Sequence, residues 1–219
     1  MIAGSASLLR VNIFSELRAD ILACRIPPNS AMREQELAKR FGVSKSPVRE
    51  ALHRLQQESL VLITPRQGYR VSPITIGDAK EMLQLRKILE LAAVEIAAKV
   101  ASDGQLAELD RFREVRGDYD TDDFISYNKD FHHAIALCSG NGRLASEVRK
   151  LEDQAERLVR VSVAVYKAKH IDGLVKEHEE IIDAIQGRQG RIASRLLRDH
   201  ITRGEKRVIQ QLTENAVLQ

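Results

Sequence analysis

Apolar residues recur at helical spacing in two short, adjacent segments of the stretch Glu34–Leu60. Gly42 separates the segments, and a residue without Cβ adopts the positive φ of a tight inter-helix turn at little cost. Ser44 can cap the second helix, and Pro47 is tolerated in its first turn, where backbone N–H groups lack helical partners. The pattern therefore predicts a helix-turn-helix. Its apolar faces are Leu37, Ala38 and Phe41, then Val48, Leu52 and Leu55.

A helix and a β-hairpin are predicted on either side of Glu34–Leu60. An amphipathic helix is predicted over 8–23, and the prolines of 26–30 end it. After the helix pair, residues 61–63 and 69–71 are apolar or alternating and flank the turn Pro65–Gly68, which predicts a β-hairpin. Three helices and a hairpin make a winged helix-turn-helix, expected over residues 8–73.

The chain changes character after the short linker 72–77. From Asp78 onward no strand is predicted, and helical periodicity recurs with short connections. The expected architecture is mainly α, with an antiparallel all-helical bundle of six or seven helices over residues 78–214. The predicted helices are 78–101, 105–116, 121–138, 144–166, 171–186 and 191–212.

Composition narrows the class of protein. No apolar run approaches the roughly 18–20 residues that a membrane helix needs, and the N-terminus lacks the pattern of a secretory signal. The two cysteines, Cys24 and Cys138, do not form a disulfide framework, so reduced thiols in a cytoplasmic protein are expected.

The charge is unevenly distributed along the chain. Residues 1–73 contain 11 Lys and Arg against 6 Asp and Glu, whereas the remainder contains 23 against 25. Lys45, Ser46 and Arg49 lie on the outer face of the second helix near its N-terminus, the part that meets base edges and phosphates in a helix-turn-helix. A basic head on a nearly neutral body is typical of a DNA-binding module joined to a regulatory one.

Three histidines on three predicted bundle helices, His132, His178 and His200, are candidate metal ligands. Imidazole nitrogen suits zinc, nickel and other divalent ions, and Asn128, one turn before His132, could add a carbonyl oxygen. Such a site would leave coordination positions for a carboxylate, and Arg86 could clamp the same carboxylate. Two plainer interpretations stay open, because single helical histidines are usually surface or core residues and Arg86 could pair with a Glu such as Glu90.

Residues 36–68, ELAKRFGVSKSPVREALHRLQQESLVLITPRQG, closely resemble the winged helix of GntR-family bacterial transcription regulators. The helical body is similar to the FadR-type C-terminal ligand domain, called FCD. Its motifs stand here as RKILELAAVEIAA (86–98), NKDFHHAIALCSGN (128–141), EHEEIIDAI (177–185) and RDHI (198–201).

This resemblance implies a homodimeric regulator, often a repressor, that binds a palindromic operator and responds to a carboxylate metabolite. It implies a divalent metal held by His132, His178 and His200, with Asn128 where many members carry Asp, and Arg86 placed to hold the effector. The expected DNA-binding residues are Arg33, Gln35, Ser44, Lys45, Ser46, Arg49, Arg66 and Gly68.

Three residues depart from the family pattern. Asn128 is neutral, which lowers the expected metal affinity. Lys45 stands where Arg is usual and lacks the planar fork that reads guanine in a bidentate manner. Asn29 replaces a frequent Gly in the lead-in turn, which is tolerable because Asn also adopts the left-handed conformation.

Two other functions are compatible with parts of the sequence. A metal-dependent hydrolase could activate water on three imidazoles, but no HExxH-type motif supplies a general base and the basic head would have no role. A winged helix that binds a partner protein instead of DNA is the other alternative.

Overall fold

The computed structural model describes residues 3–64, 68–114, 120–163 and 171–217. The chain divides into two compact units, Met1–Ile74 and Thr75–Gln219. Residues 65–67 of the expected wing tip, Arg66 among them, lie outside the described residues, as do the predicted helix ends 115–116 and 164–166. Within the described residues, no helix is both long enough and apolar enough to cross a membrane.

The first unit is a winged helix with a three-stranded sheet. β3 lies in the centre and pairs antiparallel with β1 and β2, so that Tyr69 is opposite both Met32 and Ile63. The hairpin was predicted, but β1 was not, because two residues are too short to show an alternating pattern. The elements are α1 (Ala3–Leu22), β1 (Ala31–Met32), α2 (Glu34–Phe41), α3 (Lys45–Gln57), β2 (Val61–Thr64) and β3 (Gly68–Val71).

Local conformation in the helix-turn-helix follows from the sequence with one exception. Gly42 ends α2 with φ +64°, and the following Val43 N–H donates to the Ala38 carbonyl at 3.0 Å. Asn29 likewise takes the left-handed conformation, with φ +69°. Ser44 occupies the N-cap position of α3, but its side chain makes no capping hydrogen bond. The first unit packs around Leu17, Ile21, Val48, Leu52, Leu55, Val61 and Val71, all fully buried.

The second unit is helical throughout its described residues. The predicted helix over 105–116 is wrong in detail, because a capping box between Ser102 and Gln105 starts a shorter α-helix, which tightens into a 3₁₀ helix, Glu108–Phe112. The α-helices are α4 (Ile76–Val100), α5 (Asp103–Ala107), α6 (Thr121–Cys138), α7 (Gly142–Val163), α8 (Ile171–Gln186) and α9 (Gly190–Val217).

Aromatic rings fill one part of this unit's core. Phe112 makes edge contacts with Tyr127 and Phe131, with ring centroids 5.8 and 5.6 Å apart. The Phe131 ring stacks on the imidazole of His178 at 3.8 Å. Dense packing of this kind fixes the side-chain rotamers at the α6–α8 contact, which is where the candidate site lies.

Candidate metal centre and nucleic-acid interface

The three histidines predicted as ligands converge. His132 on α6, His178 on α8 and His200 on α9 are buried, and each offers a ring nitrogen within 4.8 Å of those of the other two. The Nε2 atoms of His178 and His200 are 3.4 Å apart. Helical periodicity alone could not establish this meeting, because it depends on how α6, α8 and α9 pack.

A hydrogen-bond relay fixes the tautomer of His178. The Tyr127 hydroxyl donates to the Phe112 carbonyl at 2.8 Å, so its oxygen is left to accept from His178 Nδ1 at 3.0 Å. His178 therefore carries its proton on Nδ1 and a lone pair on Nε2. Tyr127 is buried, which keeps water from competing for this relay.

Carboxylates hold the Nδ1 atoms of the other two imidazoles. Glu177 Oε2 lies 2.7 Å from His200 Nδ1, and its other oxygen accepts from Arg203 Nε at 2.8 Å. Glu90 Oε2 lies 2.6 Å from His132 Nδ1, a close contact that lacks the alignment of a hydrogen bond. With a proton on Nδ1 in each ring, both Nε2 atoms keep their lone pairs.

The arrangement fits a metal ion. Burial lowers the pKa of His132 to about 4 and also lowers the pKa of His178 and of His200, so all three rings are neutral near pH 7. Neutral imidazoles with Nδ1 engaged by a hydrogen-bonding partner and Nε2 pointing at a common centre are the usual form of metal-ligating histidines. Two Nε2 lone pairs 3.4 Å apart repel each other, and a shared cation removes that repulsion.

Arg86 lies beside this cluster and is already paired. Its Nε is 2.5 Å from Glu90 Oε1 and 2.6 Å from Glu152 Oε1, and all three side chains are buried. The plainer interpretation from the sequence, an Arg86–Glu90 ion pair, is thus what the structure contains. Its Nη2 is also buried and has no hydrogen-bond partner among the described residues.

The two carboxyl groups beside Arg86 differ in how readily they hold a proton. Burial raises the pKa of Glu152 well above its usual range, and the adjacent Glu90 adds to the rise against the effect of Arg86. Burial also acts to raise the pKa of Glu90, but Arg86 and His132 outweigh it and lower that pKa. Of the two, Glu152 is therefore the carboxyl group that holds a proton more readily.

Sequence reasoning missed Glu152, Glu177 and Tyr127 and considered Glu90 only as a partner of Arg86. Glu152 had a detectable signal, since it continues the buried stripe of Val148 and Ala155 on α7 at helical spacing. Asn128 is buried one turn before His132 on α6. Its part as a fourth ligand stays a prediction.

In the winged unit, the described members of the predicted DNA-binding set are all exposed. They are Arg33, Gln35, Ser44, Lys45, Ser46, Arg49 and Gly68. Arg33 pairs with Glu36 at 3.0 Å, and Gly68 has φ +90°, which favours glycine at the start of β3. Arg33 and Gln35 lie at the start of α2, Ser44 to Arg49 at the leading end of α3, and Gly68 at the start of β3.

Arg49 has a partner that the sequence did not predict. Its Nε and Nη2 donate to the two carboxylate oxygens of Glu34 at 2.9 and 2.8 Å, so the pair is bidentate. The pairing joins the start of α2 to the first turns of α3.

Both units of the chain match families of known proteins. Residues 9–71 match the bacterial regulatory proteins of the gntR family, and residues 81–203 match the FCD domain. An HTH-type transcriptional regulator from an unstable DNA locus of Streptomyces ambofaciens is 32% identical over 201 residues, which cover 88% of this chain and 81% of that protein. The HTH-type transcriptional repressor RspR of Escherichia coli K12 is 26% identical, covering 93% and 90% of the two chains.

A solved structure agrees with this placement. Escherichia coli McbR/YncC superposes with a TM-score of 0.77 at 22% identity, covering 93% of this chain and 98% of that one. The likeness supports the winged helix-turn-helix plus helical domain as the fold. The matched proteins are transcription regulators and not enzymes.

Proposed function

The chain belongs to the GntR family of DNA-binding transcription regulators and carries the FCD domain, and from this premise we propose that a small carboxylate bound at the histidine cluster controls its operator binding. One observation carries the proposal. Three buried imidazoles each offer a ring nitrogen within 4.8 Å of those of the other two, and the Nδ1 of each lies next to a separate partner.

His132, His178 and His200 would hold a divalent ion, zinc or nickel, through these nitrogens, with Asn128 as a further ligand. Such an ion supplies a Lewis-acidic centre that binds anionic oxygen. The partners of the rings, Tyr127 among them, keep the imidazoles oriented whether or not a ligand is bound.

Charge balance favours an anionic effector. With a proton on Glu152, the group formed by Arg86, Glu90 and Glu152 would be neutral, as the three imidazoles are. A divalent ion adds two positive charges to a buried surrounding, where uncompensated charge is costly. A carboxylate ligand supplies compensating negative charge.

Arg86 would contact the same effector through Nη2, because its Nε is shared by Glu90 and Glu152. A carboxylate that accepts from this nitrogen would give it the hydrogen bond that the described residues do not provide. The effector would then join α4, which carries Arg86, to the histidine helices α6, α8 and α9. A ligand that binds one arrangement of these helices better than another shifts the population toward it.

The chain is proposed to act as a homodimer in the cytoplasm. α4 exposes an apolar stripe at helical spacing formed by Leu85, Ile88 and Ala92, and Leu85 and Ile88 are 45% and 60% exposed. A self-complementary contact through such a stripe suits two-fold symmetry. Each winged helix would insert Lys45 to Arg49 into a major groove, and the two copies would read the half-sites of a palindrome.

Selection of bound duplexes from a random-sequence library, followed by binding titrations, tests the DNA-binding part. We expect a palindromic consensus, and Arg49→Ala should weaken operator binding by about 1–3 kcal/mol if Arg49 makes a bidentate base contact. Wild-type protein that binds all duplexes equally at physiological salt would refute it.

A thermal-shift screen of small carboxylic acids against zinc-loaded protein tests the effector part. We expect one acid to raise Tm in the wild type and to have no effect on Arg86→Ala or His200→Ala, because a ligand stabilises only the folded state that binds it. The same shift in both variants would place the acid elsewhere and refute the proposed site.

A further inference from the structure

Glu34 makes the most specific contact on the predicted DNA-binding surface. It is the first residue of α2, and its carboxylate accepts from Arg49 Nε at 2.9 Å and from Nη2 at 2.8 Å. The Glu34 side chain is 21% exposed, whereas that of Arg49 is 56% exposed. The half-buried carboxylate of Glu34 therefore holds the Nε–Nη2 side of the Arg49 guanidinium, and the rest of that group extends into solvent.

The pairing with Arg49 holds Glu34 in its charged form. The hydrogen bond from Arg49 is the main cause that lowers the pKa of Glu34, so this carboxylate is ionised at neutral pH. α2 and α3 are thus linked through Glu34 and Arg49, and the guanidinium is fixed relative to the helix pair.

The pairing selects which edge of the guanidinium faces outward. Glu34 engages the Nε–Nη2 edge and leaves Nη1 outside the pair. Arginine has five N–H donors in a planar fork, so the Nη1–Nη2 edge still presents two parallel donors. Two parallel donors match the O6 and N7 acceptors of guanine in the major groove.

We propose that Glu34 is a positioning residue that presents Arg49 end-on to a guanine in each operator half-site. The inference rests on the DNA binding of the family and on Arg49 facing a base, and it is independent of the metal and the effector. The placement of Arg49 matters more because its neighbour Lys45 supplies positive charge without a planar fork. Base discrimination at the leading end of α3 then depends on a correctly held Arg49.

If Glu34 hindered the contact of Arg49 with DNA, the predicted effect of removing Glu34 would be reversed. If Glu34 were a competitor that Arg49 must leave to bind DNA, removing its charge would strengthen operator binding. If Glu34 positions Arg49, the same change weakens discrimination, although it also removes a negative charge that repels phosphate.

Glu34→Gln tests the proposal, with Glu16→Gln as the matched control. Both changes remove one negative charge from the winged unit, but Glu16 is an exposed residue of α1 that is not in the predicted DNA-binding set. Dissociation constants are measured for the consensus duplex that the wild type selects, for that duplex with each guanine replaced, and for an unrelated duplex. We expect Glu34→Gln to lower the ratio of specific to non-specific affinity about tenfold, with the loss confined to one guanine per half-site. The control should change the ratio less than about twofold, since base readout is intact.

A double-mutant cycle separates positioning from a general effect on folding. In an Arg49→Ala background, Glu34→Gln should cause no further loss of discrimination at that guanine. Thermal unfolding of each variant checks that it is folded.

A ratio unchanged in Glu34→Gln, a rise in operator affinity, or a loss spread over all positions would overturn the proposal. The absence of any selected consensus for the wild type would instead refute sequence-specific DNA binding itself. The two failures are therefore distinguishable.

Discussion

Tyr127→Phe is the sharpest test of the histidine centre, because it removes one oxygen and leaves the packing in place. The ring of Tyr127 keeps its contacts with Phe112 and His178, whose centroids lie 5.8 and 5.4 Å away. The change deletes the acceptor for His178 Nδ1–H and the donor to the Phe112 carbonyl.

The expected loss of stability in Tyr127→Phe follows from the hydrogen bonds that the hydroxyl makes. A buried polar group left without its partner costs about 1–3 kcal/mol. His178 can avoid that cost in the metal-free protein by moving its proton to Nε2, which lies 3.4 Å from His200 Nε2. The free energy of unfolding should therefore fall by only about 1–3 kcal/mol, the cost of the Phe112 carbonyl alone.

In the metal-loaded protein the His178 proton cannot move to Nε2, because a proton there blocks ligation of the metal. Loss of an outer partner of a ligating histidine typically lowers metal affinity about 10–100-fold, or about 1.4–2.7 kcal/mol. Competition titration of zinc against a chromophoric chelator measures this directly, and urea unfolding of metal-free protein gives the stability. Tyr69→Phe removes a buried hydroxyl from the winged unit and should leave the zinc affinity unchanged. A Tyr127→Phe protein that binds zinc within about twofold of wild type would refute the assignment of tautomers.

Two further pairs of substitutions test the charge group and the apolar stripe. Arg86→Leu leaves Glu90 and Glu152 buried without a cation and should lower the free energy of unfolding in urea by about 3–5 kcal/mol. Glu152→Gln keeps the Arg86–Glu90 pair and should lower it by only about 1 kcal/mol. Equal costs would contradict the assignment of a proton to Glu152. Ile88→Asp places two charges in a two-fold contact and should weaken dimerisation in sedimentation experiments at least about tenfold, while Leu137→Asp, on an exposed site of α6, should not. Dimers as strong as wild type in Ile88→Asp would place the contact elsewhere.

The elements with strong periodicity were predictable from the sequence. The helix pair, its Gly42 turn and the hairpin were found because apolar spacing and turn chemistry agree locally. β1 could not be found, since its two residues form a strand only by pairing with β3. The helix expected over 105–116 failed for a related reason. The capping of α5 and burial of Phe112 against the aromatic core tighten the backbone into a 3₁₀ helix.

The candidate site was predictable as a set of residue types but not as an arrangement. The three histidines could be named from their motifs, yet their convergence depends on how α6, α8 and α9 pack. Glu152 shows this limit, because its place in the buried stripe of α7 indicates burial but does not identify its partner. A charged residue on a helix is normally expected in solvent, and only the buried Arg86 from another helix explains why it lies inside.

The affinity of zinc-loaded protein for its selected operator, measured by fluorescence anisotropy with and without the acid that raises Tm, tests the central claim most directly. We predict that the acid changes the operator dissociation constant of the wild type by about 5–150-fold and leaves that of His200→Ala unchanged. Operator affinity that does not respond to the acid, or that responds equally in His200→Ala, would contradict control from the histidine cluster.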